Sequence, residues 1–196
     1  MNNSILLKSI AILVAIYAVL GFSDAILLHL WKYQLYKNKD TRKEHLLHSI
    51  RAVIFPIVVL GLLVFQLEGF YLYGFLLILI FDLGFQIWDM WIEKEARTRF
   101  GGLSSLEYTI HGLLIFIHSA FLVLYVIKSF HKDHFFRSDG NIFLNENSFA
   151  TMIAWNLLPG ACLIILLHFV LLHPYFSKDH DWEKKFLFKI HIPGLN

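Results

Sequence analysis

One cysteine, Cys162, is all this sequence has, so no internal disulfide can form, and its apolar surroundings suit a packing role. Motifs for nucleophilic or phosphate chemistry are also missing. There is no Gly-x-Ser-x-Gly, no phosphate-cradling glycine loop and no His-Glu-x-x-His. Ser23, Ser49, Ser119 and Thr109 read as side chains that bond the carbonyls of their own helices. Charge is sparse, with 16% charged residues and a net +2, which gives no case for a nucleic-acid partner. Basic residues are scarcest where acids and histidines gather, and there Arg51 stands alone.

What the chain has is hydrocarbon. It is 57% hydrophobic and 16% aromatic, with a mean hydropathy of +0.59. A bilayer core of about 30 Å takes about 20 helical residues, and five stretches are long and apolar enough to cross it. The expected fold is a single all-α integral membrane domain over 1–196, with helices at about 5–31, 44–66, 70–93, 105–127 and 148–173. The weakly charged opening and the lack of a small-residue cleavage site make the first apolar run a retained helix. Pro56 is expected to kink the second helix, and Asn156 with Pro159-Gly160 to break the fifth locally. Ser104-Ser105 offers an N-cap for the fourth. Residues 128–147 read as a long loop, and 178–196 as a charged cytoplasmic tail.

Orientation follows from the basic residues in the loops. Twelve lysines and arginines fall in the stretch joining helices one and two, in that joining three and four, and in the tail. Four, Lys8, Lys128, Lys132 and Arg137, fall on the other side. The N-terminus is therefore expected outside and the C-terminus in the cytoplasm, in the inner (plasma) membrane if the source is bacterial.

The alternation of helix direction then brings the ionisable residues to one depth, within roughly 15 Å of the cytoplasmic surface. Helix two carries Glu44 and His48 four apart, with His45 alongside, and helix four carries Glu107 and His111 four apart, with His118 further along. Each set lies on one helical face. Helix three carries Asp82, Gln86, Asp89 and Glu93 down one face, and helix one contributes Asp24. A carboxylate in hydrocarbon costs at least about 2.5 kcal/mol, so such a stripe must face a partner. Carboxylate plus imidazole is the ligand set of iron, zinc or manganese. Two helices each giving a Glu and a His, with acids on two others, is the kind of site found in carboxylate-bridged metal bundles, though the spacing is one residue longer.

The candidate ligands are Asp24, Glu44, His48, Asp82, Asp89, Glu107 and His111, with His29, His45, His118 and His168 as additional ones. Plainer readings stand beside several. Glu44 and His45 suit a helix start at the interface, and His29 beside Trp31 could be interfacial. At about 140° around an α-helix, Asp24 and His29 need not share a site. Glu93 beside Lys94 reads as surface, and Trp88 and Trp91 as an aromatic belt.

The leading functional expectation is a membrane-embedded metalloenzyme with one or two ions. Iron, favoured over zinc, implies an oxidoreductase acting on a lipid or isoprenoid-like substrate near the cytoplasmic face. Zinc implies a hydrolase working through an activated water. A b-type haem carrier would leave the acids unexplained, and a proton or metal-ion transporter lacks deep polar groups at the far ends. A structural protein held together by its polar cluster is the remaining alternative. Membrane lipid and a hydrophobic small molecule are the partners implied, with a homo-oligomer or a redox partner left open.

Overall fold

The computed structural model describes residues 3–37, 41–96, 102, 104–130, 134–137 and 139–176; the tail at 178–196 and the basic residues Lys39, Arg97, Arg99 and Lys132 lie outside these. Among the described residues, five helices are long and apolar enough to cross a membrane. They are α1 (Asn3–Phe22), α2 (Arg42–Val59), α3 (Phe70–Ala96), α4 (Ser105–Phe130) and α5 (Ser148–Leu172). The chain is a multi-pass membrane protein, helical as its sequence implies.

Two of the spans change pitch before they end. α1 continues as a π-helix over Ser23–Lys32, and α2 as a π-helix over Leu60–Val64. The wider turn is visible where Tyr33 N donates to Leu28 O, five residues back, at 2.9 Å. The second helix leaves helical geometry sooner than the expected residue 66. Phe65–Leu67 instead forms β1, antiparallel to β2 (Ile142–Leu144), in the register Phe65↔Leu144, Gln66↔Phe143, Leu67↔Ile142. The expected loop at 128–147 is thus shortened at both ends, by α4 running on to Phe130 and by this ribbon.

Glu68 clamps the same end of the bundle. It lies 2.8 Å from both His134 Nδ1 and Arg137 Nη1. Gly69 turns beside it at φ +57, where an added Cβ would meet the backbone carbonyl of Asp139. The expected break in α5 does not occur. The helix runs unbroken past Pro159, and Asn156 Nδ2 donates to Met152 O at 2.8 Å.

The main contacts close the helices into a ring. α1 lies between α4 and α5, α2 between α3 and α5, and α3 meets α4. Outward faces are apolar, with Ile5, Val19, Phe116, Leu163 and Leu166 exposed as lipid requires, and Trp31, Trp88 and Trp91 exposed at one end. α5 presents Ala150, Ala154 and Ala161 inward, which lets its backbone approach closely.

Inside the ring the filling divides in two. Toward the β-ribbon lies an apolar core, including Ile10 and Val14 of α1, Leu62 and Leu63, Leu72 and Leu79 of α3, and Phe121 and Tyr125 of α4. Toward the opposite end the same faces turn ionisable. On α3, buried Leu72, Phe75 and Leu79 give way to Asp82, Gln86, Asp89 and Glu93. On α4, which runs the other way, Glu107, His111 and His118 precede Phe121 and Tyr125. Each stripe keeps the three-and-four spacing of one helical face throughout.

Candidate metal centre

His29 occupies the middle of the ionisable half and is fully buried. Its Nε2 lies 3.5 Å from Asp24 Oδ1 and 3.3 Å from Glu93 Oε1, and its Nδ1 lies 3.9 Å from Glu44 Oε1. The His48 ring stands edge-on to it at 4.1 Å between centroids, and the His111 ring lies at 6.1 Å. His111 Nε2 in turn reaches Glu93 Oε2 at 3.2 Å and Asp24 Oδ1 at 3.5 Å.

The π-helix explains why Asp24 and His29 meet. Five residues span about 140° in an α-helix, but the i→i+5 bonding of a π-helix returns the fifth residue to the same side. Their spacing left open whether they share a site, and the change of pitch over Ser23–Lys32 brings them together. Glu93 corrects an expectation. It is fully buried and points into the cluster, following the stripe of α3 even though the exposed Lys94 is next to it.

Among the described residues, three groups of buried side chains each offer ligand atoms that all lie within 4.8 Å of one another. They are Asp24, His29 and His111; His29, Glu44 and His48; and His29, Glu93 and Glu107. An ion bound at about 2.0–2.2 Å holds opposite ligands about 4.4 Å apart, so these atoms need only a small inward adjustment. All three groups share one imidazole, whose two nitrogens can serve at most two ions. The structure thus brings Asp24, Glu44, His48, Glu107 and His111 around His29.

Asp82 stands apart, in a second polar layer next to the apolar core. Its Oδ1 lies 3.5 Å from Arg51 Nε, and its Oδ2 lies 3.5 Å from His118 Nδ1. Arg51 Nη2 and Gln86 Nε2 both donate to the Tyr17 hydroxyl at 3.0 Å, and Gln86 Nε2 also donates to His118 Nδ1 at 2.6 Å. Asp89 joins the two layers, 3.1 Å from His48 Nε2 and 3.6 Å from Arg51 Nη1.

Two further groups flank the centre. His45 and His168 stack at 5.1 Å, and Ser49 Oγ lies 3.3 Å from His168 Nδ1. Glu107 Oε2 accepts from Ser104 N at 3.0 Å, Ser104 Oγ at 2.7 Å and the Tyr33 hydroxyl at 2.8 Å. With Glu107 N donating back to Ser104 Oγ, this is a capping box. One carboxylate therefore both starts α4 and faces the cluster.

The donor chemistry fits a cation. Asp24 Oδ1, both nitrogens of His29, His48 Nε2 and His111 Nε2 are buried without a hydrogen bond. These atoms face carboxylate oxygens at close range without forming hydrogen bonds, and buried polar atoms without hydrogen bonds are costly. Among the described residues, six carboxylates fill the two polar layers, on Asp24, Glu44, Asp82, Asp89, Glu93 and Glu107, against one guanidinium, that of Arg51. A cation would offset that excess, and buried histidine and acid clusters of this kind could hold a metal in a membrane bundle. No protein-family model matches the chain, and neither does any curated protein or any solved structure.

Proposed function

We propose that the protein is a membrane-embedded, metal-dependent oxidoreductase whose non-haem iron is held around His29 and whose substrate is a lipid or isoprenoid-like hydrocarbon. One observation carries the reading. Two of the three ligand groups are two histidines and one carboxylate, Asp24 with His29 and His111, and Glu44 with His29 and His48. That is the ligand set of non-haem iron oxygenases. The third group, with Glu93 and Glu107, is richer in carboxylate, as in dinuclear bundles.

Iron held there would supply activation of dioxygen. The chain's own residues hold the site in shape: Tyr33 and Ser104 fix Glu107, and Arg51 anchors Asp89, which reaches His48. The apolar core separates the site from the end of the bundle that carries the β-ribbon.

A porphyrin fits this interior poorly. The cavity next to the rings has a volume of about 100 Å³, well below the roughly 300–1,000 Å³ of ordinary small-molecule sites. A transport path also lacks support, because the polar layers end against Phe121, Leu79 and Val14. Zinc hydrolysis is the second reading, since mixed imidazole and carboxylate ligands also suit zinc.

Elemental analysis with an absorption spectrum of the purified protein tests the proposal. One to two irons per chain with no Soret band are expected. A Soret band, or zinc in place of iron, would overturn the iron assignment, and absence of any transition metal would overturn the metal reading.

The excess of basic residues supports a cytoplasmic location for the ionisable end, with Lys43 at that end and Glu146 at the opposite one, both exposed. In a Cys162→Ser background, Glu146→Cys should label in intact cells, and Lys43→Cys only after permeabilisation. The reverse pattern would invert the topology.

A further inference from the structure

An opening in the ring leads from the middle of the bundle wall to the metal-binding residues. The cavity of about 100 Å³ is bounded by α1, α2 and α5, with Leu114 of α4 and Asp82 of α3 at its back. Its wall is built from small and apolar side chains, Ala18, Gly21, Ala52, Phe55, Ala161 and Ile164. Phe22, about half exposed, stands at its rim next to the half-buried Gly21 and Ile164. Ala161 lies near the midpoint of α5, so the opening meets the bilayer at the depth of acyl chains, where little water is available. At its inner end are Asp24, His48 and Arg51.

Size and charge define the occupant. About 100 Å³ is well below the roughly 300–1,000 Å³ of a site that encloses a whole small molecule, but it admits a short run of methylenes. A molecule that uses this slot must leave most of its body outside, in lipid. The inner end carries two carboxylates, Asp24 and Asp82, against the single guanidinium of Arg51, which is already paired to Asp82. An anionic head would be repelled there, while an uncharged hydrocarbon segment would not.

We infer that this cavity is a lateral entry slot for one hydrocarbon chain of a membrane lipid, inserted from the bilayer so that a segment of the chain lies against the residues around His29, while the headgroup stays outside. The slot rests on the oxidoreductase reading only for what happens at its inner end. Entry of the chain is a separate property. Gly21 lines the passage. An added Cβ there meets nothing within 4 Å, so the glycine keeps space open and a larger side chain can occupy it without displacing backbone.

The test places the purified protein in vesicles of phosphatidylcholine bearing a diazirine at the end of one acyl chain, illuminates them and maps adducts by mass spectrometry. Leu114 and Ala161 are only 2% and 5% exposed, so lipid on the outer surface reaches neither. Adducts on both are expected in the wild type. Gly21→Phe should reduce them at least tenfold, Gly21→Ala should retain most of them, and Gly74→Phe should leave them unchanged. Gly74, on the outer face of α3, also has nothing within 4 Å of an added Cβ and lies outside the slot. Adducts confined to outward-facing residues, or internal adducts that survive Gly21→Phe, overturn the slot. Metal content measured on the same samples separates the two claims. Internal adducts on metal-free protein sustain the slot and sink the oxidoreductase, while metal without internal adducts does the reverse.

Discussion

His29→Ala should strip the protein of its metal, whereas His168→Ala should not. His29 is common to all three ligand groups, so its loss leaves each of them with two side chains and no imidazole hub. Loss of an outer-sphere partner already weakens metal binding by about 10–100-fold, and loss of a shared ligand should exceed that range. Metal per chain after gel filtration is the measurement, with His168→Ala as a control for disturbing a buried histidine of the same end. The wild type should also melt at a higher temperature than chelator-treated protein. An ion at 1,000 times its dissociation constant adds about 4.1 kcal/mol to stability. A His29→Ala protein that retains wild-type metal would remove the hub from its assigned place.

Arg51→Met should be the most destabilising single change in the second layer. The guanidinium faces Asp82 at 3.5 Å and Asp89 at 3.6 Å and donates to the Tyr17 hydroxyl. Removing it leaves Asp82 and Asp89 with only the neighbouring imidazoles of His118 and His48, a loss approaching the range of about 3–5 kcal/mol seen when one partner of a buried pair is deleted. Asp82→Asn should cost less, because Asp89 still faces Arg51 and the amide keeps hydrogen-bonding capacity. Replacing both members, as Arg51→Met with Asp82→Leu, should recover part of the loss, since an apolar pair often substitutes for an ionic one. Thermal unfolding in a fixed detergent ranks the three. A single Arg51→Met variant that melts with the wild type would show the ion pairs to be of no consequence. Since neither Arg51 nor Asp82 belongs to the ligand groups, metal content in Asp82→Asn should stay near that of the wild type.

The helices and their ionisable faces were legible because membrane burial leaves a simple imprint. Lipid tolerates no polar stripe, so Asp82, Gln86 and Asp89 had to face inward, and the same spacing carried on to Glu93. Judging Glu93 by its neighbour Lys94 instead of by its helical face hid a buried acid. His29 was harder to place. Its five-residue separation from Asp24 looks unfavourable in an α-helix, and becomes a contact only because the backbone widens at Ser23–Lys32. The β-ribbon left still less trace. It pairs two three-residue segments more than 70 positions apart, and such long-range hydrogen bonding has no local periodicity to read. The capping box of Ser104 and Glu107 was half visible, as a helix start, but Tyr33 as a third donor to the same oxygen was not.

The divided interior has an electrical consequence. The six clustered carboxylates stand toward one face of the membrane, while the half toward the β-ribbon is filled by side chains such as Ile10, Leu62 and Phe121. A voltage across the bilayer therefore falls mainly over the apolar half, where the dielectric constant is lowest. A charge that crosses the whole potential exchanges about 2.3 kcal/mol per 100 mV, but an ion reaching His29 from the near face traverses only a small fraction of it. Occupancy of the proposed site should accordingly follow the ion concentration on that face and change little when the membrane is polarised. The dioxygen and hydrocarbon chain proposed as reactants carry no charge, so their arrival would be equally indifferent to the field.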